Sequence, residues 1–88
     1  MQRKQVVRFT AAQAHERMGN RVRSLIEFAG VPKGTSGVVV DVYEFDTNQF
    51  DVVIAWDLPS RQNPRDRFAK DPYEEFLLEE APDLALAV

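Results

Sequence analysis

The chain of 88 residues contains no cysteine, a single histidine and only four glycines. Without cysteine there can be no disulfide, thiolate chemistry or cysteine-ligated zinc. No apolar run approaches the roughly 20 residues that a membrane-crossing helix requires. The opening MQRKQVVRF lacks the apolar core of a signal peptide. The expectation is therefore a cytoplasmic protein with no membrane contact.

Catalytic groups are as scarce as cysteine. His15 stands alone beside Glu16 on what reads as a short surface helix, and a solitary solvent-facing histidine is ordinarily inert. Asp41, Glu44 and Asp46 could supply oxygen ligands to a cation, but they read more simply as the polar end of a hairpin. Gly34-Thr35-Ser36-Gly37 lacks the Lys-Ser/Thr of a phosphate-binding loop and leads into a strand. No nucleophile can be matched with a base. The chain is expected not to be an enzyme and to carry no cofactor or metal.

Charge is present but segregated. Residues 1–33 hold seven basic and two acidic side chains, and residues 34–60 hold five acidic and no basic ones. Residues 61–70 hold four basic and one acidic, and residues 71–88 hold six acidic and no basic ones, for a net charge of −3. Such blocks fit either oppositely charged segments meeting within the fold or basic patches that attract an acidic partner.

The organising stretch is Gly34 to Trp56, in which two apolar runs rich in β-branched and aromatic residues flank Asp46-Thr47-Asn48-Gln49. Each run is too short for a stable helix, so the stretch reads as a β-hairpin. Strict alternation places Val38, Val40 and Val42 on one face and Val52, Ile54 and Trp56 on the facing one. It pairs Val42 with Ile54 and Val40 with Trp56, and leaves Thr47, Asn48 and Gln49 as the loop. The opposite face, with Val39, Asp41, Tyr43, Val53 and Ala55, is mixed, as in a partly covered, curled sheet.

Elsewhere the spacing predicts an arm or edge strand over 1–9, a short helix over 10–18, a barrel over 19–80 and a flexible tail over 81–88. Thr10 is the expected N-cap of the helix, with Ala11, Ala14 and Met18 packing inward and Gly19-Asn20 ending it. Arg21 to Phe28 alternates as a first strand, broken near Ser24 so that Leu25 or Ile26 turns inward. Pro59 and Pro64 mark a loop, and a short strand surrounds Phe68. Asp71 is the expected cap of a helical turn with Pro72 at its first position. That turn either continues through Tyr73, Phe76 and Leu77 or stops at Glu75 before a last strand, Phe76 to Glu79.

Binding features are better represented than catalytic ones. Arg61, Arg65, Arg67 and Lys70 fall within ten residues, with Phe68 among them and Trp56 just before. Together with Tyr43 they form the candidate partner-binding set, against the alternative that Phe68 and Trp56 are core and the arginines pair with Asp57, Asp66 or the acidic C-terminal segment. An acidic protein is the expected partner. Nucleic acid, reached through the same segment and Arg21/Arg23, is the alternative, because basic residues interleaved with aromatics can also contact phosphates and stack on bases. A weak homodimer through Tyr43, Val39 and Val53 is a further expectation.

Four segments carry a resemblance: Gly19-Asn20-Arg21-Val22-Arg23, Gly34-x-x-Gly37-Val38-Val39, Asp51-Val52-Val53-Ile54-Ala55-Trp56 and Arg67-Phe68-Ala69-Lys70-Asp71. They resemble SH3-like barrels of the kind found in photosystem I reaction-centre subunit IV and the variable chain of ferredoxin–thioredoxin reductase. They are also similar to KOW-type barrels of transcription and ribosomal proteins. The resemblance implies a mainly β fold, an SH3-like barrel of about five strands with a short N-terminal helix and a late helical turn. It further implies a non-catalytic docking or accessory module, with nucleic-acid binding as the alternative.

Overall fold

In a computed structural model of the chain, the structure describes residues 6–80. The expected tail over 81–88 and the first half of the expected arm over 1–9 lie outside the described residues. The elements run α1 (Ala11–Glu16), β1 (Arg21–Ser24), β2 (Ser36–Asp46), β3 (Gln49–Trp56), β4 (Arg65–Phe68), α2 (Lys70–Phe76) and β5 (Leu77–Glu80). The fold is mainly β: one five-stranded antiparallel sheet, in the order β4-β3-β2-β1-β5, curls into half of a barrel. No helix among the described residues is long and apolar enough to cross a membrane.

The β2–β3 hairpin forms where expected, but its register differs from strict alternation. Val39 pairs with Ile54 and Asp41 with Val53, so Val40 is an extra residue bulged out of the ladder. A bulge shifts the phase of the pleat. Val39 before it is buried, and Val42 after it packs against the core, although the two are three residues apart. The expected pairs Val42 to Ile54 and Val40 to Trp56 are thus replaced by Val42 to Val52 and Gly37 to Trp56. The inward face of β3 is as expected, with Val52, Ile54 and Trp56 all buried. A second shift at Phe45 leaves Thr47-Asn48 as a two-residue turn, with Asn48 at φ 50°. Asn48 tolerates that left-handed backbone, and its Oδ1 accepts from the Ala11 N–H at 3.0 Å, tying the hairpin tip to the start of α1.

Thr10 caps α1 as expected, and the cap is reciprocal: its hydroxyl accepts from the Gln13 N–H while Gln13 Oε1 accepts from the Thr10 N–H. The helix ends at Glu16, two residues before the expected limit. Gly19 has φ 82° and sends its N–H to the Val39 carbonyl on β2 at 2.8 Å, which draws the chain off the helix axis. Ala14 is consequently the buried residue of α1, and Met18 is exposed.

Strand β1 stops at Ser24, with Val22 and Ser24 inward, and Leu25 and Ile26 stay exposed instead of turning in. The inward places beyond the break go to Phe28, packed against the core, and to Val31, fully buried. They bridge across Ala29 and Gly30, both at positive φ (45° and 81°). In α2 the cap is Ala69, so Asp71 and Pro72 lie inside the first turn and not at the cap and first position. Asp71 instead accepts from the Val7 N–H at 3.1 Å. The helix gives way to β5 at Leu77, the shorter-helix form of the expectation.

The core comprises side chains from every element. Phe28, Trp56 and Phe68 form a triangle of edge-to-face rings with centroids 5.5–6.2 Å apart, and Phe9 meets Tyr73 edge-on at 5.5 Å. Phe9, fully buried, exchanges both backbone hydrogen bonds with Phe50, so the N-terminal arm extends the edge of β3 beyond the end of β4.

Gly37 has no room for a side chain. A Cβ there would lie 2.8 Å from Ile54 Cγ2 and 2.8 Å from Trp56 Cε3. Gly37→Ala is expected to destabilise the fold by about 1–3 kcal/mol through overpacking, read as a lower urea midpoint at unchanged slope. Ile54→Ala should cost about 2–5 kcal/mol by leaving a cavity; an unshifted melting curve would refute the assignment of this face as the core.

Candidate functional site

The solvent face of the sheet is organised in rows by the strand register. One row crosses all five strands as Glu80, Arg21, Val38, Ala55 and Arg65. The next, displaced by two residues, carries Asp41, Val53 and Arg67, and the one after it Tyr43 and Asp51. Val38, Val53 and Ala55 are half-buried, so the face is a shallow apolar floor with arginines on both flanks. Between Arg21 and Asp57 the floor dips into a cleft of about 280 Å³ over Gly37 and Val38.

Of the five expected partner-binding residues, three come together here: Arg65, Arg67 and Tyr43. The Arg67 guanidinium lies 4.0 Å from the centre of the Tyr43 ring and 3.3 Å from Asp51 Oδ2. Asp51 is almost fully buried, and Arg8 holds its other oxygen at 3.1 Å while lying 3.6 Å over the Phe45 ring. Two arginines thus neutralise one buried carboxylate and sit on two exposed rings, an arrangement that fixes their heads on the surface. Arg65 and Arg21 make no ion pair among the described residues and are free to meet an outside charge. Sequence reasoning missed Arg8. Its signal was only an Arg before a β-like Phe, and its partner lies 43 residues away.

Arg61 does not join this face. Its two terminal nitrogens grip both oxygens of Asp66 at 2.9 Å, and the Trp56 indole N–H donates to Asp66 Oδ2 at 2.9 Å. The Arg61 guanidinium holds the Asp66 carboxyl below its ordinary range; partial burial opposes the effect and the indole N–H reinforces it. Lys70, the first residue of α2, is half-buried and has no ion pair among the described residues.

His15 is exposed, with Nδ1 2.8 Å from the Ala11 carbonyl. Asp41, Glu44 and Asp46 are exposed along the protruding half of β2. Among the described residues no three metal-ligating side chains cluster. Burial pushes the Tyr73 phenol well above its ordinary value, with the Glu79 carboxylate adding to the shift. Val39, expected in a self-association surface with Tyr43 and Val53, is 1% exposed and points into the core. The bulge at Val40 removes it from that surface.

Comparison of the chain with family models, curated proteins and solved structures finds no match.

The Asp66 clamp gives a pH signature. A carboxyl that titrates lower in the folded state than its unfolded value of about 3.9 stabilises fully above that pH and loses its contribution as pH falls through the folded-state value. The urea midpoint should therefore drop below about pH 4, with a shift in Trp56 emission. Asp66→Asn should lower stability at neutral pH and flatten this part of the profile.

Proposed function

We propose that the chain is a non-catalytic docking module of the cytoplasm, an SH3-like barrel that presents its outer sheet face to an acidic protein partner. Compatible with that barrel are the strand order, with β1 between β2 and β5, and the single short helix that joins β4 to β5. The observation that carries the docking reading is the row Arg21, Val38, Ala55, Arg65. Two cations without ion pairs among the described residues flank a half-buried apolar floor. Arg67 and Tyr43 continue the surface one and two rows on. Apolar floor with cationic rim suits a partner whose own patch is apolar and rimmed by carboxylates, and it favours fast, salt-sensitive association.

The test must spare the fold. Replacing Arg67 by Glu would set a carboxylate against buried Asp51, and Arg21→Glu would set one opposite Glu80, so Arg21→Gln with Arg65→Glu is the cleaner change. The tagged chain should recover a partner from cell extract at low salt, lose it at high salt, and keep it after nuclease treatment. The double variant should lose the partner while its melting curve stays close to the parent's, as surface substitutions usually do, within about 0.5 kcal/mol each. Recovery abolished by nuclease would put nucleic acid in the partner's place; recovery unaffected by the double variant would reject this face.

A further inference from the structure

Strand β4 is the terminal strand of the sheet, and its outward edge meets no strand among the described residues. The register fixes which groups that edge offers. The Trp56 N–H donates to the Pro64 carbonyl, and β3 and β4 pair as Ile54 with Asp66 and Val52 with Phe68. Hydrogen-bonded and non-bonded pairs alternate in an antiparallel ladder, so Asp66 and Phe68 turn their backbone groups to β3. Arg67 therefore turns its N–H and carbonyl outward, as Arg65 turns its carbonyl, while the Arg65 N–H is held by Asn63 at 2.8 Å.

Beside this edge runs an apolar cleft of about 310 Å³. Its walls are Phe28 and Ala29 of the tight turn, Pro72 and Phe76 of α2, and Asp66 to Phe68 of β4 itself. No residue of β3 lines it, which places the cleft on the free side of β4. Its one carboxylate, Asp66, is already neutralised by Arg61. On the other face of the same strand stand Arg65 and Arg67.

We propose that β4 is a strand-addition site that takes an extended segment of a partner protein with an acidic-apolar-acidic core. Side chains of an added strand alternate between faces. If two acidic residues stand beside Arg65 and Arg67 on the solvent face, the residue between them enters the cleft among Phe28, Phe68, Pro72 and Phe76. The backbone of the acidic residue opposite Arg67 accepts from its N–H and donates to its carbonyl. Backbone pairing supplies the affinity of such sites and the alternate pockets supply the selectivity. The same arginines would otherwise protect the edge from pairing, because charge on an edge strand deters a second copy; only an acidic strand turns that protection into attraction. This inference rests on the docking reading and names the partner segment and its mode of binding.

The probe is a fluorescent peptide of alternating glutamate and leucine, blocked at both ends, titrated into the full chain. It is expected to bind, to lose about tenfold or more in affinity when its glutamate nitrogens are methylated, and to slow the hydrogen exchange of the Arg67 amide. The counterpart with lysine in place of glutamate should not bind. Arg65→Glu should abolish binding, Arg65→Gln should weaken it, and circular dichroism establishes that both variants are folded. Binding that is lost in Arg65→Glu but unaffected by N-methylation overturns strand addition and leaves the docking face standing. Absence of peptide binding also overturns it, and the extract experiment with Arg21→Gln and Arg65→Glu then decides separately whether the docking reading survives.

Discussion

One extra residue, Val40, governs the architecture of this chain. An uninterrupted β2 would have to choose between burying Val39 and burying Val42, because the two lie three apart. The bulge lets it turn both inward, Val39 fully into the core and Val42, opposite Val52, packed against it and partly buried. It also keeps Asp41 on the outer face, so the long strand can bend around the core without carrying a charge into it. The pairings of the outer rows follow from the same shift, and with them the placement of Tyr43 beside Arg67.

The two sides of the sheet then acquire different chemistry. Inside, aromatic rings meet edge to face and Gly37 yields its space to Trp56. At the rim, the indole N–H and Arg61 converge on Asp66, so the largest core residue is tethered to the loop that connects β3 to β4. Outside, Asp51 draws in Arg8 and Arg67 and leaves Arg65 and Arg21 unclaimed among the described residues. The blocks of opposite charge are therefore divided in use: Arg8, Arg61 and Arg67 pair with carboxylates inside the fold, and Arg21 and Arg65 make no ion pair among the described residues.

Much of the fold was legible because it depends on local rules. The Thr10 cap, the Gly19 exit, the hairpin, the proline-marked loop and the inward face of β3 each follow from a few neighbouring residues. The bulge was not legible, since alternation of valines over 38–42 reads equally well in either phase and only the pairing partner decides it. The short α2 and the burial of Phe9 likewise depend on contacts distant in sequence, through Val7 to Asp71 and Phe9 to Phe50. At the candidate site, composition located the basic segment, but not the division within it. Arg61 and Arg65 are alike as residues; what separates them is the proximity of Asp66, which only the folded loop supplies.

The pairing of β1 with β5 has a consequence for biosynthesis. Arg21 lies opposite Glu80, so β1 gains its second neighbour only from the far end of the described chain. Long-range pairings of this kind form slowly because a large loop must close first. A nascent chain that has delivered β1 to β3 holds a long hairpin with one side of β1 still open. The sheet is completed only after residue 80 has cleared the ribosome, which makes folding of this small domain an event that follows synthesis of the strand that ends it.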